Sequence, residues 1–120
     1  VNIINLLLHD ITITDEGGHV VKVVPRSMLV ARLDTDRQLA KPSIGGILFW
    51  HTKYSIPYCA RIDANGKEAE RVNFPEQRPD TIYIVSGLFR TSYERSDLWQ
   101  PGELIRDANG KPIGCVGLSQ

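Results

Sequence analysis

The string Asp-Ala-Asn-Gly-Lys occurs twice, at 63–67 and again at 107–111. Asn-Gly between two β-rich runs is the strongest short-range hairpin signal, because the tight turn needs positive φ, which Asn and Gly tolerate. Asp15-Glu16-Gly17-Gly18 is a third cluster of turn residues. A chain interrupted in this way folds from short strands. Ile11-Thr12-Ile13-Thr14 alternates strictly, as a half-buried strand does. Val20 to Val24 resumes the β-branched character, and Pro25 closes it because proline cannot donate to a ladder. Residues 58–62 and 69–73 flank the first Asp-Ala-Asn-Gly-Lys; 104–106 and 113–118 flank the second. The two copies read as independent turns that use the same chemistry, not as an internal repeat.

Further strands are expected at 3–8, 28–33 and 47–53. Residues 34–46 read as a loop, because Asp34, Asp36, Lys41-Pro42-Ser43 and Gly45-Gly46 all punctuate. Thr81-Ile82-Tyr83-Ile84-Val85 is the clearest strand, approached through Pro75 and Pro79, which enforce extended backbone. Ser86 stands where a helix N-cap belongs, and Gly87 to Tyr93 fits a short helix with Leu88, Phe89 and Tyr93 on its apolar face. The expected fold class is α+β, a mainly antiparallel β-sheet with one short helix after the strand 81–85, in a single domain spanning 1–120.

Charge narrows the function. With 14 basic and 14 acidic residues the net charge is zero. Duplex nucleic-acid binding draws most of its affinity from phosphate neutralisation, so it is not expected here. A small anion needs only two or three arginines in one pocket. The apolar runs Leu6-Leu7-Leu8 and Ile47-Leu48-Phe49-Trp50 are far short of the ~20 residues of a membrane-spanning helix. No basic stretch precedes an apolar one at the N-terminus, so no signal peptide and a cytoplasmic location are expected. Cys59 and Cys115 are then two reduced thiols.

Catalytic and metal chemistry find little support. His9, His19 and His51 form no metal-ligand spacing, so no metal site is assigned. Ser86 lacks the glycine two residues before it that a nucleophile elbow requires, and reads as a cap. Glu68 and Glu70 share a strand face beside a turn, the ordinary place for a solvated edge. No catalytic residue and no cofactor is assigned.

An arginine–aromatic group remains. Arg90, Tyr93, Arg95, Trp99 and Arg106 all follow the strand 81–85. Arginine can grip phosphate bidentately, and aromatic rings offer a base a stacking surface. A helix starting at Gly87 directs free backbone N–H groups outward. Arg32, set among apolar residues, could reach the same pocket from the sheet. The competing reading leaves Arg90 and Arg95 solvated, paired loosely with Glu94 and Asp97.

The runs FPEQRPDTIYIVS at 74–86 and RSDLWQPGELIRDANGKPIGC at 95–115, with NLLLHDITI at 5–13 and PRSMLVARL at 25–33, resemble small phage-encoded proteins of about this length. The best-characterised proteins that this pattern resembles are the anti-Thoeris sponge proteins of bacteriophages. The resemblance implies a non-enzymatic anti-defence protein in the cytoplasm of the infected bacterial host. It would sequester cyclic ADP-ribose isomers, or cyclic oligonucleotide signals, without degrading them. It also implies a homo-oligomer built on dimers, with ligand held by arginines and aromatics. Arg32, Arg95 and Arg106 fall on the family's arginine positions; Arg90 comes from the residue reading alone, and Phe89 and Tyr93 are aromatic candidates beside Phe74. The chain departs from the pattern at Leu7 and Leu8, at Arg26-Ser27 where a glycine is missing, and throughout 50–71.

Two other readings compete. One is a small nucleotide hydrolase or transferase with His9 or His51 as base. The other is a protein–protein module with Leu98-Trp99 and Phe49-Trp50 as exposed anchors.

Overall fold

The computed structural model describes residues 1–35, 37–41, 43–52 and 56–120; for the remaining five, all inside strands, only the strand's course is given. Nine strands and one helix follow in the order β1 (Asn2–Asn5), β2 (Ile11–Thr14), β3 (Val20–Val24), β4 (Leu29–Ile44), β5 (Ile47–Ile62), β6 (Glu68–Asn73), β7 (Thr81–Ile84), α1 (Gly87–Ser92), β8 (Leu98–Arg106) and β9 (Pro112–Ser119). They form a six-stranded sheet in the order β1-β7-β8-β9-β2-β3 and a three-stranded sheet in the order β4-β5-β6.

The turns behave as their residues dictate. In both Asp-Ala-Asn-Gly-Lys segments the aspartate carboxylate accepts from the backbone N–H two and four residues on, at 2.9–3.0 Å. Asp15 does the same for Gly17 and His19. Each turn closes with the aspartate N–H donating to the carbonyl four residues ahead and a glycine N–H returning to the aspartate carbonyl. Gly66 and Gly110 lie at φ +77° and +78°, in the left-handed region. Gly66→Ala and Gly110→Ala are each expected to cost about 1–2 kcal/mol, the price of left-handed backbone for an L-residue. Urea denaturation of the single variants checks this.

The sheets differ from expectation in two ways. The three-stranded sheet is antiparallel throughout, but the six-stranded one is mixed. β1–β7, β7–β8 and β2–β9 pair in parallel, while β2–β3 and β8–β9 are antiparallel. Hairpin turns mark antiparallel neighbours in a sequence; parallel neighbours lie far apart in it and leave no local sign.

The second difference is larger. Residues 34–46 do not form a loop. β4 and β5 are 16 residues each and pair from Leu29↔Arg61 out to Ile44↔Ile47. The strands expected at 47–53 and 58–62 are one continuous strand. Gly45 and Gly46, at φ +56° and +79°, form the two-residue turn at its tip. Asp34, read as punctuation, is held by Arg71, whose Nη1 donates to both carboxylate oxygens. Asp36 and Pro42, which also supported the loop reading, lie outside the described residues.

The core has two parts, on opposite faces of β7. Tyr83 and Val85 point into a cluster with Leu6, Ala31, Cys59, Phe89 and Leu98, between the two sheets and α1. Ile84 points the other way, against Ile11, Ile13, Val24 and Cys115. A strand buried on both faces needs a continuous apolar run, which is why 81–85 stood out in the sequence. Cys59 and Cys115 are both buried and unbonded, and burial pushes the Cys59 thiol up to about 11.

Candidate ligand-binding site

The two C-terminal blocks, 74–86 and 95–115, fold against each other. Tyr83 N–H donates to the Asp97 carbonyl and Val85 N–H to that of Trp99. Gln77 Nε2 donates to Ser96 Oγ at 2.8 Å. Phe74 stacks on Phe89 at 5.1 Å between centroids, and Tyr93 meets both rings edge-on. The aromatics therefore pack chiefly on one another. Phe89 is only 2% exposed.

Ser86 caps α1. Its backbone is extended, and its Oγ accepts from the Phe89 N–H at 3.2 Å. The helix is only 6 residues long and ends at Tyr93, whose N–H donates to the Phe89 carbonyl. The hydroxyl meets one of the open N–H groups at the helix start.

The six candidate cations and rings, Arg32, Phe89, Arg90, Tyr93, Arg95 and Arg106, do not line one pocket together. Arg95 lies within the protein. Nε donates to Asp97 Oδ1 at 2.9 Å, Nη2 to Oδ2 of the same carboxylate, and Nη1 to the Pro75 carbonyl at 2.8 Å. Its head lies over the Phe74 and Tyr93 rings. Hydrogen bonding to Asp97 pushes the guanidinium still higher, against the opposing effect of burial. Neither the loose solvated pair nor the open phosphate grip describes this arginine. Arg106 Nη1 donates to the Gly110 carbonyl and braces its own hairpin turn. Arg32 Nε donates to Glu68 Oε1 at 2.7 Å, so Glu68 belongs to a cross-strand ion pair. Glu70 likewise pairs with Arg61.

Arg90 is different. Its Nε is buried and has no hydrogen-bond partner. A buried donor without a partner costs about 1–3 kcal/mol, so it calls for one.

Two openings adjoin these residues. A groove of about 170 Å³ runs between β4 and α1, lined by Ala31, Arg32, Leu33, Ser86, Leu88 and Phe89. Ala31 and Leu33 alternate with Arg32, so the arginine's head turns to the other face, toward Glu68. A wider open hollow of about 530 Å³ lies where the two C-terminal blocks meet, lined by Gln77, Arg78, Pro79, Thr81, Ile82, Ser96 and Asp97. That volume lies in the ~300–1,000 Å³ range of small-molecule sites; the groove's does not. Arg78 on its rim has no protein partner for its guanidinium, among the described residues. Sequence reasoning passed over Arg78 and Gln77. The only signal available was their place between Pro75 and Pro79, in a segment too short to be a strand of its own.

The other anchors also move. Leu98, expected at the surface, is completely buried, and Trp99 is half-buried. Trp50, by contrast, is 43% exposed. His51 lies exposed on the β4–β5 ribbon, and His9 lines a small hollow of about 100 Å³ together with Cys115. Among the described residues no group of His, Cys, Asp and Glu is arranged to hold a metal ion, and no helix is long and apolar enough to cross a membrane. Asn5, in the N-terminal block of the resemblance, is structural: its buried amide donates to the His9 and Val24 carbonyls and accepts from Leu7 N–H.

Comparison with protein-family models, characterised proteins and solved structures returned no match.

Proposed function

We propose that this chain is a non-enzymatic binder of a small nucleotide-type signal, and that it sequesters cyclic ADP-ribose isomers or cyclic oligonucleotides in the cytoplasm of a phage-infected bacterium. The observation that carries the reading is the hollow between the two C-terminal blocks. It is wide enough for part of such a ligand, and it has an unpaired arginine, Arg78, on its rim and hydrogen-bonding side chains in Gln77, Thr81 and Ser96. The same two blocks carry the resemblance to the anti-Thoeris sponges. Arg78 would meet phosphate, while Arg95 and Asp97 hold the floor of the hollow in shape. Arg90, with its buried, unpartnered Nε, lies on α1 and does not line this hollow.

Titration calorimetry with cyclic ADP-ribose isomers and cyclic oligonucleotides tests this, followed by denaturation and chromatography of the released ligand. Binding with intact ligand returned is expected. Arg78→Ala should weaken it by about 1.5–3 kcal/mol, the range for a charge-assisted hydrogen bond. Ligand altered during incubation, dependent on His9 or His51, would replace the sponge with a hydrolase. Arg106→Ala reports on the second hairpin: unchanged affinity leaves that arginine as a brace for its turn.

A further inference from the structure

Beyond β6, the β4–β5 ribbon projects as an arm. β6 pairs with β5 only over Tyr58–Ile62, so the outer part of both long strands has no third neighbour among the described residues. The molecule extends 53 Å along its longest axis against 36 and 32 Å across, and its radius of gyration is 17.1 Å. A compact chain of this length would have a radius of gyration of about 14 Å. The arm is also charged unlike the rest of the chain. From Arg37 to Ile62 the sequence holds Arg37, Lys41, Lys53 and Arg61 and no carboxylate, although the chain has 14 acidic residues. Arg61, at the base, is taken by Glu70.

Side chains are sorted along the arm by their distance from its tip. Gly45 and Gly46 turn the chain, with Ile44 opposite Ile47 just behind them. Leu48 follows, and then the rings: Phe49 opposite Lys41, and Trp50 opposite Leu39. Leu39, Ile44, Ile47, Leu48 and Trp50 are each between 43% and 61% exposed. The cations stand at the level of the rings. Lys41 Nζ is 4.3 Å from the Phe49 centroid, and the Arg37 guanidinium is 4.4 Å from that of Trp50. At ~3.3 Å per residue, Ile47 to Trp50 spans roughly 10 Å.

We propose that the arm docks this protein on an anionic lipid surface, with its tip in the boundary between headgroups and acyl chains and with Arg37 and Lys41 at the lipid phosphates. Three observations select lipid as the occupant. The first is order. An apolar tip, then aromatic rings, then cations is the sequence of environments met on leaving a bilayer: tryptophan favours the interface, and Lys and Arg reach from apolar surroundings to the headgroups. The apolar stretch also matches the ~5–10 Å to which interfacial segments sink. The second is that both faces are apolar. Leu39, Leu48 and Trp50 share one face of the ribbon, and Ile44 and Ile47 share the other. A protein lying against the arm would cover one face and leave the other in water, whereas lipid surrounds the tip and covers both. The third is charge. A segment without carboxylates meets anionic headgroups with no repulsion of its own. Insertion stays shallow, because the outer edges of a lone ribbon carry unpaired backbone groups that the hydrocarbon interior does not tolerate. The arm therefore rests on a membrane without spanning it, and the inference does not depend on any nucleotide ligand.

Co-sedimentation of the intact chain with vesicles tests it, one set made of phosphatidylglycerol and phosphatidylcholine in equal parts and the other of phosphatidylcholine alone. The chain is expected to pellet with the anionic vesicles, to pellet far less with the neutral ones, and to be released as salt is raised. Ile47→Ser with Leu48→Ser should lower partitioning about tenfold or more, from the apolar burial lost. Arg37→Gln with Lys41→Gln should weaken pelleting with the anionic vesicles alone. Val21→Ser, on the exposed edge strand β3, should change nothing. An unchanged far-ultraviolet spectrum and urea midpoint in each variant shows that the fold is kept. Lipids brominated on the acyl chain give a second readout in an otherwise unaltered arm: they should quench tryptophan fluorescence, and Trp50→Phe should abolish the quenching. A chain that stays in the supernatant with both sets of vesicles overturns the proposal. So does pelleting that the tip variant keeps. A dimer in lipid-free solution that the tip variant dissociates would give the arm to a second copy and overturn it as well.

Discussion

Arg95→Ala is expected to cost about 3–5 kcal/mol of folding stability, the range seen when one partner of a buried ion pair is removed. The Asp97 side chain is 4% exposed and that of Arg95 15%, so the pair lies well inside. Taking Arg95 away strands a buried carboxylate and deprives the Pro75 carbonyl of its donor. It also removes the cation from over the Phe74 and Tyr93 rings. For a chain of this size the melting temperature should drop by roughly 10–25 °C. The double variant Arg95→Met with Asp97→Leu should recover much of the loss, because replacing both members of a buried pair with apolar side chains is often neutral. Denaturant midpoints of the two variants decide the matter. A loss below about 1 kcal/mol for Arg95→Ala would mean that the pair behaves as an ordinary surface salt bridge.

An arginine used in this way bears on function as well. Three of its N–H groups are already donated inside the protein. Two N–H groups, one on each terminal nitrogen, remain, but the bidentate edge of Nε and Nη2 is already taken by Asp97. Among the described residues, Arg78 lines the hollow and its guanidinium has no internal bond to give up. Arg95 pairs with Asp97, which lines the hollow, and Arg78, next to Pro79, lines it as well.

Local chemistry was legible in the sequence, and long-range pairing was not. Asp63, Asp107 and Asp15 each announce a turn because an aspartate carboxylate satisfies backbone N–H groups within the same few residues. Ser86 announces a cap for the same reason. Nothing local marks β2 lying beside β9, since Ile13 and Cys115 are brought together by the fold alone. The arm was misread because Asp34 and Gly45-Gly46 are turn residues in most settings. Here Arg71, from β6, holds Asp34, and the two glycines serve one tight tip instead of a long loop. The candidate site failed to converge for a related reason. Arginines cluster in sequence at 90, 95 and 106, but their partners, Asp97, Pro75 and Gly110, decide which of them remain free.

Phe89→Ala should destabilise the fold by about 3–5 kcal/mol, the range for emptying a buried aromatic site. The ring is 2% exposed, lies nearly parallel to Phe74 with an interplanar angle of 21°, and takes Tyr93 edge-on at 5.9 Å. It is also the buried residue that fixes α1 against the core. Its loss frees Phe74 and Tyr93 as well as leaving a cavity. The comparison with Tyr93→Ala separates packing from ligand stacking. Tyr93 is only half-buried and lies at the helix end, so its removal should cost less stability. A ring that stacks on a base must present a face to solvent before the ligand arrives, and Phe89 presents almost none. If Phe89→Ala keeps its denaturation midpoint and loses only ligand affinity, the ring faces the ligand and the packing account of α1 is wrong. If the midpoint falls as expected, and affinity at a temperature where the variant is still folded changes little, Phe89 belongs to the core, and any stacking on a base falls to the more exposed Tyr93.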